Sequence, residues 1–163
     1  MKAIFLTIIA LVFQVTSVFA GNNDGSLTIP RMVSLRFDMV NARSGPGGNY
    51  PIEWIYQQKG IPVEITNAYE NWYEIKDWEG AVSWVKENQV MAKRFVKIIT
   101  PGENNIYNSD SLKSKVIARV EDGAVGEVKK CEKSSGFCLL KFDTIEGWVS
   151  KKNIYGIYKN ESI

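Results

Sequence analysis

The sequence contains no histidine. That absence removes the serine–histidine–aspartate and cysteine–histidine nucleophile systems and the histidine-based zinc sites in one step. Cysteine is scarce: Cys131 and Cys138 are the two present, and without histidine they argue against a structural zinc centre. No glycine-rich phosphate loop or dinucleotide fingerprint occurs. Neither sign of charge dominates, with 20 Lys and Arg against 18 Asp and Glu. So even a balance argues against duplex nucleic acid, which favours concentrated Lys and Arg. The small clusters Lys129, Lys130, Lys133 and Lys93, Arg94 read as solvated surface. Asp77 with Glu79 is a carboxylate pair of the type that hydrolyses glycosides, but the two flank a turn, where solvation explains them. The expectation is a chain that is not an enzyme and has no catalytic residue, metal site or cofactor to nominate.

Long apolar runs are missing as well, except at the start. Met1-Lys2 gives a short basic beginning, Ile4 to Val12 an apolar run, and Val18-Phe19-Ala20 a small-x-small cleavage pattern before Gly21. Residues 1–20 therefore read as a signal peptide. An uncleaved membrane anchor is the alternative, weakened by the polar interruptions Thr7, Gln14, Thr16 and Ser17. No cysteine follows the cleavage point, against a lipid anchor. The reading is an exported protein, periplasmic or secreted, with no integral membrane segment after signal cleavage. In such a compartment two cysteines suggest one disulfide. Cys131 and Cys138 flank the turn Glu132-Lys133-Ser134-Ser135-Gly136-Phe137, and a hairpin there would bring their Cα atoms within bonding distance; a pair of buried thiols is the alternative.

What the chain does contain is a module used twice: the stretch 36–90 returns, with drift, as 97–157. Gly60-Ile61-Pro62-Val63-Glu64-Ile65 is echoed by Gly123-Ala124-Val125-Gly126-Glu127-Val128, and Ser83-Trp84-Val85-Lys86 by Gly147-Trp148-Val149-Ser150. A duplicated small unit points to binding more than to one large active site. The punctuation is all-β: short apolar runs broken by Gly, Pro, Asn and Asp, with no sustained helical period. Strands are expected over 52–56, 62–66, 72–76 and 81–85, with a long turn over 44–49 and order beginning near Pro30. Val63 and Ile65 share one face, as do Tyr73 and Ile75, which leaves Glu64 and Glu74 outward.

Val40-Asn41-Ala42-Arg43-Ser44-Gly45-Pro46-Gly47, followed by Trp54-Ile55-Tyr56, Gly60-Ile61-Pro62-Val63, Asn71-Trp72, Asp77-Trp78-Glu79-Gly80 and Trp84-Val85, resembles the bacterial SH3 (SH3b) family. More narrowly, it is similar to the exported tandem SH3-domain proteins of alphaproteobacteria. The likeness continues through Val116-Ile117-Ala118-Arg119, Gly123-Ala124-Val125-Gly126, Cys131, Cys138 and Gly147-Trp148-Val149. It implies an all-β chain of two tandem SH3-like small barrels: residues 21–34 a flexible lead-in, 35–90 the first domain and 97–158 a diverged second one. It also implies a recognition role in the cell envelope, commonly of cell-wall peptide or protein. The second unit lacks the Arg-Ser-Gly-Pro turn, carries Phe137 at the position of Trp72 and has no counterpart of Trp78.

Aromatic residues make up 12% of the chain, and Tyr50, Trp54, Tyr69, Trp72 and Trp78 lie at turns or strand ends. Such faces suit proline, aliphatic peptide or sugar rings, because they give large contact area with little side-chain entropy to lose. Trp54, Trp84 and Trp148 sit inside apolar runs and read as core. Arg43 can hold its loop through carbonyl hydrogen bonds or meet a ligand carboxylate bidentately, and Gly45, Gly47 and Gly48 read as permitting positive φ. The expected site is Arg43, Tyr50, Trp72 and Trp78 on the first repeat, binding an extended peptide-like ligand, either peptidoglycan peptide or an envelope protein. The competing reading is structural: two barrels packed as a rigid scaffold or dimerisation unit, their aromatics consumed inside.

Overall fold

A computed structural model describes residues 28–163. The expected signal peptide and the beginning of the lead-in lie outside the described residues. The chain runs through β1 (Arg31–Leu35), β2 (Val40–Arg43), β3 (Ile52–Tyr56), β4 (Pro62–Tyr69), β5 (Trp72–Lys76), β6 (Val82–Lys86), a 3-10 turn at Glu87–Gln89 and β7 (Val90–Met91). The second repeat follows as β8 (Phe95–Ile98), β9 (Asn104–Tyr107), β10 (Val116–Val120), β11 (Val125–Cys131), β12 (Phe137–Phe142), β13 (Ile145–Ser150), a 3-10 turn at Lys151–Asn153 and β14 (Ile154–Tyr155). Each repeat forms one seven-stranded sheet, with the orders β3-β2-β6-β5-β4-β1-β7 and β10-β9-β13-β12-β11-β8-β14. The orders are the same, element for element, so the duplication read in the sequence is a duplication of topology.

Alternation explains how so short a unit closes a core. In the first repeat Val33, Leu35, Val40, Ala42, Val63, Ile65, Tyr73, Ile75, Val85 and Val90 gather in one buried cluster. Residues from both ends of a single sheet meet there with no second layer to cover them, so the sheet curls over its own face. Register shifts assist the bend at matching places, between Ala42 and Arg43 and between Ile65 and Asn67 in the first repeat, between Val116 and Ala118 and between Val128 and Lys130 in the second. The second core uses Val96, Ile98, Ile106, Leu140 and Val149, with Cys131 and Cys138 among them.

Several expectations need correction, three of them in the first repeat's sheet. The flexible lead-in of residues 21–34 loses its last residues to the sheet: Arg31–Leu35 is strand β1, hydrogen-bonded between β4 and β7, because Val33 and Leu35 alternate into the core. Trp54 is not core but 52% exposed, since β3 is the edge strand of its sheet. Glu64 faces away from Val63 and Ile65 as alternation requires, yet it is buried, because the second repeat covers it.

That cover is extensive. Residues 92–94 alone separate β7 from β8. The Phe95 amide donates to Ser34 Oγ at 3.1 Å, the Tyr155 hydroxyl to the Lys76 carbonyl at 3.0 Å and the Tyr158 hydroxyl to Glu64 Oε1 at 2.9 Å. Lys76 Nζ lies 2.6 Å from Glu64 Oε2. Burial alone would raise the Glu64 carboxyl, but the hydrogen bonds from Lys76 and Tyr158 and the Lys76 charge outweigh it and hold it below the usual range. Burial, and then the nearby Glu64 and Asp77 charges, push the Tyr155 hydroxyl up. Val125 packs onto the first core. Gly156, at φ +114°, brings its backbone so close to the first repeat that a Cβ there would lie 2.8 Å from Pro62 Cβ. The two repeats are one packed body.

Candidate functional site

Strands β2, β6 and β5 lie side by side, with Arg43 opposite Trp84, Trp84 opposite Glu74 and Trp72 opposite Lys86. Ala42, Tyr73, Ile75 and Val85 turn into the core, so the two-residue period sends Arg43, Trp72, Trp84 and Lys86 to the other face. Trp84, expected in the core, is half-buried on this outer face. Trp72 is 6% exposed and lies outside the core cluster, with the Lys86 ammonium 5.7 Å from its ring centroid. Arg43, Trp72, Lys86, Asn41, Gln89 and Gly48 line a pocket of about 220 Å³.

The long loop after β2 builds the rim. Arg43 Nη1 donates to the Tyr50 carbonyl at 2.6 Å, and the Ser44 amide to the Pro51 carbonyl at 3.0 Å. Arg43 thus has the loop-holding role that its position before Ser-Gly-Pro suggested. Tyr50, 46% exposed, lays its ring over Gly45, where a Cβ would meet the ring at 2.4 Å. Gly45 is needed for this close approach; the positive φ expected for Gly45, Gly47 and Gly48 is found at none of them.

Trp78 is elsewhere. It lies in the turn after β5, at the end of that strand opposite Trp72. Asp77 fixes its turn: Oδ1 accepts from the Glu79 and Ala81 amides at 3.0 and 2.9 Å, and Oδ2 from the Tyr56 hydroxyl at 3.2 Å. Asp77 is therefore a buried organiser of the turn, not half of a solvated acid pair. Trp78 meets Tyr56 edge-on at 6.4 Å and carries the second repeat's Lys97 ammonium 4.3 Å from its ring centroid. With Glu79, Lys97, Ile99, Asp122 and Gly123 it lines a groove of about 530 Å³ between the repeats. Arg43 and Trp72 line one pocket, Tyr50 touches it through the backbone carbonyl that accepts from Arg43, and Trp78 lies at the junction. Sequence reasoning missed Lys86; its signal was the two-residue step from Trp84, which puts both on the face of Arg43.

The second repeat rebuilds the same place without charge. By register Tyr107 stands opposite Trp148 and Phe137 opposite Ser150, so Tyr107 replaces Arg43, Phe137 replaces Trp72 and Ser150 replaces Lys86. The Tyr107 and Phe137 rings pack edge to face at 6.0 Å. Cys131 and Cys138 are direct cross-strand partners, 4.5 Å apart at Cα, and joined by the expected disulfide. Among the described residues no group of three acidic or cysteine side chains could hold a metal ion, and no helix is long and apolar enough to cross a membrane.

A small antiparallel sheet curled over one core, used twice, with an aromatic and cationic pocket on the outside of the first copy, defines a tandem small-barrel protein. Residues 37–91 and 100–156 each match the bacterial SH3 domain family, and the chain belongs to that family. Among solved structures, it is similar to NlpC2 from Trichomonas vaginalis at 15% identity, over 83% of this chain and 51% of that one, with a TM-score of 0.36. NlpC1 from the same organism aligns at 12% identity over 77% of this chain and 45% of that one, with a TM-score of 0.34. The chain thus spans about half the length of these solved chains. No curated protein matches it.

Proposed function

We propose that the protein is an exported, non-enzymatic recognition module of the bacterial cell envelope, of the alphaproteobacterial tandem-SH3 type, whose first repeat binds an extended peptide ligand. The ligand class is peptidoglycan peptide or a segment of an envelope protein. One observation carries this reading: Arg43, Trp72 and Lys86 line a pocket outside the core of a barrel whose family serves recognition, and the Tyr50 backbone carbonyl holds Arg43 there. The second repeat folds with Tyr107, Phe137 and Ser150 at the corresponding places instead. The disulfide supports export, since such bonds persist in oxidising compartments. Trp78 contributes to the junction between repeats in this reading, not to the peptide groove.

The test is co-sedimentation of the purified protein with insoluble peptidoglycan, beside Tyr50→Ala, Trp72→Phe and Trp78→Ala, each checked for folding by circular dichroism. Binding that Tyr50→Ala and Trp72→Phe weaken and Trp78→Ala leaves intact is the expected result. Absence of binding by folded protein, to peptidoglycan and to envelope extract alike, refutes it.

A second reading is favoured by the junction: Tyr155, Tyr158, Phe95 and Val125 fasten the repeats together, as a rigid scaffold or dimerisation unit requires. It predicts loss of assembly, not of wall binding, when the junction is altered.

A further inference from the structure

We propose that the pocket between Arg43 and Lys86 takes a carboxylate, so that the first repeat recognises its peptide through an acidic terminus or side chain. This rests on the peptide-binding reading above and adds the chemistry of the contact.

The charges come first. Arg43 spends Nη1 on the Tyr50 carbonyl, and its Nε and Nη2 make no hydrogen bond to another of the described residues. Lys86 Nζ sits over Trp72. Neither cation belongs to an ion pair among the described residues, although six other Lys–Glu and Arg–Glu pairs form there. No acidic side chain lines the pocket. Two unpaired cations on neighbouring strands of one face repel each other, and a bound anion relieves that repulsion.

Shape and donors then select among anions. A pocket of about 220 Å³ is below the ~300–1,000 Å³ of sites that enclose a drug-sized molecule, so it holds one end group. The Arg43 guanidinium presents a planar fork, which matches the two oxygens of a carboxylate, and the Trp72 indole forms a flat wall beside it. Gln89 Oε1 accepts from the Lys86 amide at 3.1 Å, which leaves its NH₂ group free to donate. Buried Trp72 keeps water from one side and so reduces screening of the charges. In the second repeat Tyr107 and Ser150 replace both cations at the corresponding positions.

The experiment titrates the protein with a synthetic peptidoglycan stem tetrapeptide bearing free carboxyls and with the same peptide fully amidated, followed by the indole N–H resonance of Trp72. Arg43→Gln and Lys86→Gln run in parallel. The expected result is that amidation weakens binding at least tenfold and that each variant loses a similar factor on the free acid but not on the amide. Lys86→Gln leaves the Arg43–Tyr50 bond in place, so loss in that variant cannot come from a disordered loop. A tetrapeptide ending in L-alanine, set against one ending in D-alanine, separates a protein C-terminus from a wall peptide, and preference for either supports the carboxylate. Equal affinity for acid and amide overturns this inference while the peptide-binding reading stands. Inorganic phosphate that competes better than acetate at matched ionic strength also overturns it. Failure of both peptides and of whole peptidoglycan to bind overturns the two together.

Discussion

Replacing Gly156 with Ala tests the junction between the repeats. The residue holds φ +114°, and an added Cβ would stand 2.7 Å from the Phe95 carbonyl oxygen and 2.8 Å from Pro62 Cβ. Neither obstacle is the far end of a flexible side chain: one is backbone of β8 and the other a ring in β4, so both repeats must shift. The backbone conformation costs an L-residue about 1–2 kcal/mol, and overpacking adds about 1–3 kcal/mol. A loss of about 3 kcal/mol is expected. With a urea m-value of ~2 kcal/mol/M, the unfolding midpoint should fall by roughly 1.5 M. Tryptophan fluorescence in a urea titration reads it, with Gly48→Ala as control, where a Cβ meets nothing within 4 Å. The expected control shift is within about 0.5 kcal/mol. If Gly156→Ala costs less than about 1 kcal/mol, the close approach of the repeats does not exist in solution.

Further outcomes follow from the same contacts. Removing the disulfide by Cys131→Ala with Cys138→Ala should cost about 2 kcal/mol from loop closure, plus some packing, because both residues are fully buried; calorimetry with and without reductant measures it. Glu64 and Glu161 have carboxyls held below the usual range, in each case because hydrogen bonds and a cationic neighbour outweigh burial. Their stabilisation is complete above the ordinary unfolded value of about 4.3 and is lost as pH falls through their lower folded values. Stability should therefore be level from neutral pH to about 5 and drop below the glutamate range, and Glu64→Gln should flatten that drop in an acid titration followed by circular dichroism. Trp54→Ser, on the exposed edge strand, should change stability by no more than about 0.5 kcal/mol in the same urea assay; a loss above 2 kcal/mol would return Trp54 to a core.

The strands were legible because one face of each is buried and alternation records it: Val63, Ile65, Tyr73 and Ile75 all point where the pattern put them. The hairpin and its disulfide were legible because Cys131 and Cys138 flank a short turn. What failed was long-range. Trp54 lies in an apolar run, and only the strand order reveals that β3 has no neighbour beyond it. Glu64 faces outward within its own repeat, and the residue that covers it, Tyr158, comes 94 positions later. Strand β4 extends to Tyr69 through Asn67 and Ala68, both exposed, because a register shift after Ile65 lets backbone pairing continue where no apolar alternation marks it. Of the expected residues, Arg43 and Trp72 line one pocket and Tyr50 meets it by its backbone carbonyl, Lys86 was missed, and Trp78 belongs to the other end of β5.

The most direct measurement of the central claim is binding of the purified, folded protein to insoluble peptidoglycan, compared with a protein carrying the second repeat's residues in the first, Arg43→Tyr with Trp72→Phe and Lys86→Ser. The account predicts that the native protein sediments with the wall and that the triple variant, folded but stripped of its pocket, stays in solution. Equal sedimentation of the two would contradict it.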